Sequence, residues 1–231
     1  MTWGPLHSSC AKSDDSKTAT TDNSSSSSVN CNNGCFVAVG YSGNIVRSSD
    51  NGASWNNSTS PSAITLQGVT FGNNTFVGVG RFGNIVRSKD NGSSWDNATS
   101  PTATNLWGVT YGNNTFVGVG ENGNIVRSTD NGSSWDNATS PTGNKLDGVG
   151  HGNNIFVAVG SSGNILRSTD NGTTWDNVTS PTTNYLNEIT FGNNTFVAVG
   201  DGGNIVRSTD NGSTWDNITS GTSDFLKGIT F

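Results

Sequence analysis

A unit of 40 residues is repeated five times along this chain of 231 residues, and every copy carries the same turn. The turn has the form Ser-x-Asp-Asn-Gly-x-x-Trp. Its Asp and Trp residues are Asp50 and Trp55, Asp90 and Trp95, Asp130 and Trp135, Asp170 and Trp175, and Asp210 and Trp215. A strict period of this length is typical of folds in which one supersecondary unit is stacked or arranged around an axis. The sequence therefore predicts a repeat architecture.

Each unit contains four short runs that favour β-strands. In the third complete unit these runs cover residues 106–111, 116–119, 124–128 and 135–139, here named strands A, B, C and D. Gly and Asn turns separate the runs, as expected for an all-β chain. Four short antiparallel strands per repeat describe one blade of a β-propeller. The predicted fold is an all-β, five-bladed β-propeller with four-stranded antiparallel blades.

The repeats occupy residues 32–231, which hold five units of 40 residues. The chain enters the first unit just before strand B and ends after a further strand A. Residues 226–231 are therefore predicted to supply the missing strand A of the first blade and to close the ring, which removes exposed strand edges. Residues 1–31 lie outside the repeat, and their Ser-rich run predicts a flexible tether. We expect the protein to be a monomer.

Charge argues against one class of partner. Acidic residues outnumber basic ones by 17 to 11, and the formal net charge is -6. Nucleic-acid-binding proteins usually present a basic face, whereas the arginines of this chain are spread at about one per repeat. We therefore expect no nucleic-acid partner.

The three cysteines bear on the compartment of the protein. Cys31 and Cys35 enclose an Asn-Asn-Gly turn that could close a small disulfide loop, although spacing alone does not establish the bond. The sequence around Cys10, Ser-Ser-Cys-Ala-Lys before a Ser-rich stretch, resembles the mature start of a bacterial lipoprotein. That resemblance implies a lipid anchor at Cys10, and an unpaired thiol is the alternative. A disulfide and an anchor together predict an extracytoplasmic protein, either secreted or attached to the cell surface.

The repeated turn has a physical explanation. Asn-Gly is a strong hairpin signal, because a type I′ turn needs positive φ at both of its central residues. The preceding Asp can accept hydrogen bonds from backbone N–H groups, and the Ser two positions earlier can add another. The Trp supplies a large apolar surface for packing.

These residues resemble the Asp-box, or bacterial neuraminidase repeat, with the pattern Ser/Thr-x-Asp-x-Gly-x-Ser/Thr-Trp. The resemblance covers residues 32–231 and all five turns. It implies a propeller fold, and the family includes sialidases and other glycosidases, sortilin-type receptors, photosystem II assembly factors and carbohydrate-binding proteins. In this family the box lies at the outer turn between strands C and D, away from the ligand face. The resemblance therefore implies a structural role for the ten Asp and Trp residues named above.

The residues needed for sialidase chemistry are not found together. Such a site uses an arginine triad, a Tyr/Glu nucleophile pair and an acidic proton donor. Five of the six arginines instead occupy one repeated position: Arg47, Arg87, Arg127, Arg167 and Arg207. Pairing across the C–D hairpin with Asp96, Asp136, Asp176 or Asp216 is predicted for the last four, whereas the first unit has Asn56 at that place. Glu188 replaces a repeated Gly near the predicted channel, either as a tolerated substitution or as a carboxylate that holds a cation or water.

Two further observations complete the prediction on catalysis. His7 and His151 are isolated in the sequence and form no metal-ligand cluster. His151 stands at a position that is aromatic in other units, so packing is its expected role. We predict no catalytic residue, no metal site, no cofactor and no enzymatic activity, with a degenerate sialidase-like glycosidase as the alternative.

Differences between the repeats are concentrated at one end of the predicted propeller. The A–B and C–D turns hardly vary, whereas the B–C turns and the D–A connections, which lie at the opposite end, differ strongly. The predicted ligand-binding residues are Tyr41, Arg81, Phe82, Trp107, Glu121, Lys145, Asp147, Tyr185, Asp201, Phe225 and Lys227. Aromatic and arginine side chains among polar groups are typical of recognition surfaces. The sequence predicts a non-enzymatic module that binds a glycan or a protein, with an assembly factor or neutral loop drift as alternatives.

Overall fold

The described residues form a repeated all-β structure. A computed structural model describes residues 10–12 and 34–231. These residues form five four-stranded antiparallel sheets, and the strands of each sheet are neighbours in chain order. The predicted strand content and the four strands per repeat are confirmed. Within these residues, no helix has the length and apolar character needed to cross a membrane.

The twenty strands divide evenly among the sheets. Sheet 1 contains β1 (Cys10–Lys12), β2 (Phe36–Val39), β3 (Ile45–Ser48) and β4 (Asn56–Ser58). Sheet 2 contains β5 (Leu66–Gly72), β6 (Thr75–Gly80), β7 (Ile85–Ser88) and β8 (Asp96–Ala98). Sheet 3 contains β9 (Leu106–Gly112), β10 (Thr115–Gly120), β11 (Ile125–Ser128) and β12 (Asp136–Asn137).

The last two sheets repeat the pattern. Sheet 4 contains β13 (Leu146–Gly152), β14 (Ile155–Gly160), β15 (Ile165–Ser168) and β16 (Asp176–Val178). Sheet 5 contains β17 (Leu186–Gly192), β18 (Thr195–Gly200), β19 (Ile205–Ser208) and β20 (Asp216–Ile218). Each B–C turn is a single 3-10 turn, at Tyr41–Gly43, Arg81–Gly83, Glu121–Gly123, Ser161–Gly163 and Asp201–Gly203.

Consecutive sheets pack face to face through strand B. Side chains alternate between the two faces of a strand, so neighbouring residues serve different interfaces. Phe116 of sheet 3 packs with Val77 of sheet 2, whereas the adjacent Val117 packs with Phe156 of sheet 4. All four of these side chains are fully buried. Because burial of one such side chain contributes roughly 1.5–3 kcal/mol, the contact between sheets is the main source of stability.

The Asp of each box accepts hydrogen bonds from its own turn. Oδ1 of Asp130 accepts a bond from the Ser134 amide at 2.9 Å, and Oδ2 accepts one from the Ser134 hydroxyl at 2.6 Å. Nε1 of Trp135 donates to the carbonyl of Gly132 at 3.2 Å. Asn131 and Gly132 both have positive φ, as the type I′ turn requires. These contacts close the C–D turn from within.

The same contacts hold the box carboxylates in their charged form. In the first box, bonds from the hydroxyl and amide of Ser54 and from the hydroxyl of Ser48 lower the pKa of Asp50 to about 2. Because the folded pKa lies below the usual 3.8, this contribution to stability is present above pH 3.8 and is lost as the pH falls toward 2.

The repeated arginines connect different sheets. Nε of Arg127 donates to the carbonyl of Asn171, in the box of the next sheet, at 3.0 Å. Arg47 and Arg167 donate in the same way to the carbonyls of Asn91 and Asn211, whereas a terminal guanidinium nitrogen of Arg87 donates to the hydroxyl of Ser133. Among the described residues the ion pairs are Lys145–Asp147 and Lys227–Asp201, so the predicted pairing of these arginines across the hairpin is wrong. The side chain is long enough to cross the interface, where an unpaired carbonyl is available.

The predicted closure by the C-terminal segment is also wrong. The first strand of sheet 1 is β1, which pairs antiparallel with β2 so that Cys10 faces Ala38 and Lys12 faces Phe36. Residues 226–231 form no strand. They stay on sheet 5 instead, where the amide of Leu226 donates to the carbonyl of Gly200 at 3.1 Å. The free edge of β2 is thus occupied by a segment from outside the repeat.

Strand β1 also places part of the predicted N-terminal tether in a sheet. Three residues of the predicted tether, Cys10–Lys12, belong to a sheet, and residues 1–9 and 13–31 lie outside the described residues. Cys35 is disulfide-bonded, and its predicted partner Cys31 also lies outside the described residues. The lipid anchor at Cys10 stays a prediction.

Removing a box carboxylate is expected to weaken the fold. In Asp130→Ala, the amides of Ser133 and Ser134 lose their acceptor, and we expect the free energy of unfolding to fall by about 1–2 kcal/mol. Asp130→Asn keeps one oxygen and is expected to lose less. Urea unfolding followed by tryptophan fluorescence measures both, with Thr129→Ala as a neighbouring exposed control. Equal midpoints for wild type and Asp130→Ala would contradict a structural role for the box.

Candidate functional site

A β-bulge lies at the start of strand A in four sheets. In sheet 2, Leu66 faces Gly80 and Gly68 faces Val79, so Gln67 has no opposite residue. The bulged residues of the other three sheets are Trp107, Asp147 and Asn187. A bulge redirects a side chain and is often found beside functional sites. Here it falls on a position that differs in every repeat, so one repeated backbone feature presents four different side chains.

The bulged Trp107 belongs to a cluster built across sheets 3, 4 and 5, here named the Lys145 cluster. Nε1 of Trp107 donates to Oε1 of Glu121 at 3.1 Å. Nζ of Lys145 lies 3.8 Å from the centre of the Trp107 ring and 5.6 Å from that of Tyr185. It also pairs with Oδ1 of Asp147 at 2.6 Å. The cluster comprises Trp107, Glu121, Lys145, Asp147 and Tyr185.

A smaller cluster repeats this arrangement on sheet 5. Nδ2 of the bulged Asn187 donates to Oδ1 of Asp201 at 2.9 Å, as Trp107 does to Glu121. Nζ of Lys227 pairs with the same oxygen of Asp201 at 3.1 Å and lies 4.9 Å from the centre of the Phe225 ring. In both clusters a bulged residue is joined to the first residue of the B–C turn, and a lysine lies beside an aromatic ring.

The predicted ligand-binding residues therefore divide into two groups. Eight of the eleven lie in the two clusters: Trp107, Glu121, Lys145, Asp147, Tyr185, Asp201, Phe225 and Lys227. Tyr41, Arg81 and Phe82 lie on the B–C turns of sheets 1 and 2, outside both clusters. Trp107, one of the predicted ligand-binding residues, is buried and adds no exposed aromatic surface. Its ring instead supports the ammonium group of Lys145.

Phe82 is exposed and conformationally unfavourable. Its side chain is 70% exposed, and its backbone has φ 55° and ψ 32°, in the left-handed region. The equivalent residues are Ser42, Asn122, Ser162 and Gly202. This conformation is unusual for a bulky residue and costs roughly 1–2 kcal/mol. A large apolar side chain kept in an unfavourable conformation in water suggests a role in binding.

Glu188 follows the bulge of sheet 5 and lines a small cavity together with Gln67, Trp107 and Asp147. The cavity has a volume of about 60 Å³, which suits a few waters or one small group. Burial, with a smaller contribution from the charge of Asp147, raises the pKa of Glu188 to about 7 against a lowering hydrogen bond from the Ile189 amide. Sequence comparison of the repeats detected Glu188, but Gln67 was missed, although it occupies the variable position.

The two clusters give this end of the molecule an acidic character. Burial raises the pKa of Tyr185, and the nearby carboxylate of Asp147 raises it further. The charges of Asp147, Glu121 and Asp201 act in the same direction, which shows that these carboxylates lie near one phenol. Lys145 and Lys227 neutralise them only in part. The surface is therefore suited to a ligand that carries positive charge.

Within the part of the chain that the structure describes, no group of three or more His, Cys, Asp or Glu side chains is arranged to hold a metal ion. The ring of His151 packs on Phe156, with centres 4.5 Å apart, and burial lowers its pKa. This packing confirms the predicted role of His151.

Replacing Phe82 by the residue of another repeat is expected to stabilise the protein. In Phe82→Asn, a residue that adopts the left-handed conformation more readily replaces an exposed ring, and we expect the free energy of unfolding to rise by about 1 kcal/mol. The reverse change, Asn122→Phe, is the matched control and should lower it by a similar amount. Both are measured by urea unfolding. A loss of stability in Phe82→Asn would mean that the ring contributes to packing.

Glu188 is expected to make stability depend on pH. Because its pKa is raised from 4.5 to about 7 in the folded state, the folded protein binds this proton more tightly than the unfolded chain. Its contribution is therefore fully present below pH 4.5 and is lost as the pH rises to 7. Relative to Glu188→Gln, wild type should lose about 3 kcal/mol of unfolding free energy over this range. A difference that does not change with pH would contradict the raised pKa, and Asp224→Asn controls for an exposed carboxylate.

Comparisons with known proteins show the fold and leave the family open. No protein-family profile matches the sequence, and no curated protein matches it. A solved structure of YCF48 bound to a D1 peptide is 21% identical with a TM-score of 0.62, and the match covers 80% of this chain and 63% of that chain. YCF48 from Cyanidioschyzon merolae is 17% identical with a TM-score of 0.63, covering 84% and 72%. A nidogen/laminin complex is 12% identical with a TM-score of 0.65, covering 85% and 80%. With its five four-stranded sheets, the chain has a β-propeller fold.

Proposed function

We propose that this chain is a non-enzymatic binding module that holds a protein ligand at the end formed by its B–C turns and D–A connections. The observation that carries the proposal is the Lys145 cluster. Five residues that each differ from the residues at the equivalent positions of the other repeats contact one another across three sheets. Residues that vary without a role would have no reason to converge in this way. We also propose that the chain is a non-catalytic Asp-box propeller, on the basis of the repeated turn.

The chemistry of this surface defines the ligand. Phe82 and Phe225 are 70% and 64% exposed and offer apolar contacts, and Arg81 is exposed beside Phe82. The carboxylates near Tyr185 favour a positively charged group at the same end. A peptide segment with an apolar residue beside Lys or Arg satisfies both requirements, since aromatic anchors and a charged rim are what protein interfaces use.

The structural neighbours favour a protein over a glycan. One neighbour is a YCF48 propeller bound to a D1 peptide, and another is a nidogen/laminin complex. Both are complexes with a peptide or a protein. An assembly role, in which the module holds a segment of another protein, is therefore the form of the proposal that the neighbours support. A glycan is the alternative ligand.

The disulfide at Cys35 supports an extracytoplasmic location, because structural disulfides are rare in reducing compartments. We propose that the protein acts outside the cytoplasm, whether secreted or held at the surface through Cys10. Metabolic labelling with a fatty-acid analogue distinguishes the two, because an anchored protein loses the label in Cys10→Ser.

The ligand class is tested with two arrays probed by the whole protein. One array carries peptides that combine an aromatic or aliphatic residue with Lys or Arg, beside matched peptides with Glu in place of the basic residue, and the other carries glycans. We expect binding to the basic peptides, weakened about tenfold in Phe82→Ala, in line with the loss of one interface anchor. Asn122→Ala, at the same position of the next sheet, should leave binding unchanged. Binding to glycans alone, or equal binding to acidic peptides, would overturn the protein-ligand proposal.

A degenerate glycosidase is the second candidate, and Glu188 is the observation that favours it. A carboxyl with a pKa near 7 beside the carboxylate Asp147 resembles the pair of an acid and a charged partner that glycosidases use. Hydrolysis of a fluorogenic sialoside by wild type, abolished in Glu188→Gln, would establish this activity. No hydrolysis by wild type would remove the candidate.

A further inference from the structure

The cavity beside Glu188 exists because strand A differs between the sheets. In sheets 2, 3 and 4 the residue after the bulge is Gly68, Gly108 or Gly148, whereas in sheet 5 it is Glu188. A Cβ at Gly108 would lie 2.6 Å from the carbonyl oxygen of Asp147, so a larger residue is not accommodated there. The strands A of these sheets are neighbours. Three missing side chains therefore leave space at this level, and Glu188 supplies the one carboxylate.

The wall of this cavity is acidic. Its described residues include the carboxylates of Asp147 and Glu188 and the amide of Gln67, but no basic residue. The side chain of Asp147 is 1% exposed, and neither of its oxygens accepts a hydrogen bond from the part of the chain that the structure describes. Oδ1 is paired with the ammonium group of Lys145, so Oδ2 is left without a donor. A buried carboxylate oxygen in this state is costly unless a bound group donates to it.

Lys145 shows how an ammonium group binds to this wall. Its Nζ lies 3.8 Å from the centre of the Trp107 ring and 2.6 Å from Oδ1 of Asp147. Both contacts are typical of an ammonium group, which is attracted to the face of an indole and donates charge-assisted hydrogen bonds to carboxylates. Lys145 does not itself line the cavity, and it compensates only one carboxylate. One further positive charge balances the site when Asp147 and Glu188 are both ionised.

The size of the cavity limits which cation it can hold. Its volume is about 60 Å³, and a water molecule occupies about 30 Å³ in the liquid, so there is room for about two heavy atoms. The end of a lysine side chain, a methylene and an ammonium group, has this size, whereas a guanidinium group is larger. A calcium ion is less suited, because it takes six to eight oxygen ligands. The described residues contain no group of three or more acidic, His or Cys side chains that could hold a metal ion.

We propose that this cavity binds a primary ammonium group, with Glu188 and Oδ2 of Asp147 as charged partners and the side-chain oxygen of Gln67 as a neutral acceptor. Gly108, Val109 and Glu188 are each partly exposed, so the cavity is reached from solvent. The group arrives either on a small free amine or at the end of a lysine side chain of a protein ligand. The second source rests on the proposed function and makes it more specific, because it selects Lys over Arg in that ligand.

The first test titrates the full chain, labelled with ¹⁵N, with methylammonium chloride and follows the NMR signals of the cavity wall. We expect saturable shifts of the Trp107 indole N–H and the Gly68 amide, and no such shifts with tetramethylammonium or guanidinium chloride at the same ionic strength. Glu188→Gln should weaken methylammonium binding by about tenfold or more, because it removes one charge-assisted hydrogen bond. Asp224→Asn, which removes an exposed carboxylate outside the cavity, should bind like wild type.

The second test identifies the source of the ammonium group with pairs of peptides that differ only in Lys or Arg beside an apolar residue. We expect the Lys peptide to bind wild type about tenfold more tightly than the Arg peptide, because only the ammonium group enters the cavity. The difference should disappear in Glu188→Gln and persist in Asp224→Asn. Equal affinity of the two peptides, together with saturable methylammonium binding, would identify a small free amine as the source.

Failure of this proposal differs from failure of the proposed function. Absence of methylammonium shifts in wild type, equal shifts with tetramethylammonium, or equal affinity in Glu188→Gln would overturn the ammonium site, even if basic peptides bind elsewhere on the protein. Shifts of the same signals by calcium chloride at lower concentrations than methylammonium would show a metal site and overturn it as well. Binding of methylammonium without binding of any peptide would remove the protein ligand and leave the ammonium site in place.

Discussion

The packing of one sheet on the next is the interaction on which the rest of this structure depends. Strand B sends a phenylalanine to one neighbour and a valine to the other, and both are fully buried in the internal sheets. A single sheet would leave both faces in water, so no repeat can be stable by itself. The arginine that reaches the next box and the box glycine that lies against the preceding valine belong to the same contact. Stability in this protein is therefore a property of neighbouring pairs of repeats.

This dependence separates structural residues from variable ones. The box turn contributes to the interface. Replacing its Asp or Trp removes hydrogen bonds of the turn, and a side chain in place of its Gly would collide with the preceding sheet. At the opposite end, the bulge at the start of strand A takes one residue out of the ladder, so its side chain is released from the pairing rules of the sheet. Tryptophan, aspartate, glutamine and asparagine all occur there. The fold thus allows a set of different side chains to meet without disturbing the interface.

Two residues at the variable end adopt conformations or environments that lower the stability of the fold. Phe82 adopts a left-handed conformation that Asn or Gly would adopt with less strain, and its ring lies in water. Glu188 places a carboxylate in a largely apolar setting that raises its pKa. Strain of this kind is typical of functional positions, since the surrounding repeats are stable enough to hold it. Both residues lie at the variable end.

The sequence by itself determined the local features of this protein. The period of 40 residues, the four strands of each repeat and the Asn-Gly turn with two positive φ values follow from neighbouring residues and could be predicted. Comparison of the repeats also identified eight residues that the fold brings into two clusters. Only the tertiary structure decided the bulges, the burial of Trp107 under Lys145, and the bond from Arg127 to Asn171 in place of a pair with Asp136. It also decided that Cys10–Lys12, and not the C-terminal segment, pairs with β2. These contacts join residues far apart in the chain, and the choice between competing partners depends on the rotation from sheet to sheet, which no single repeat contains.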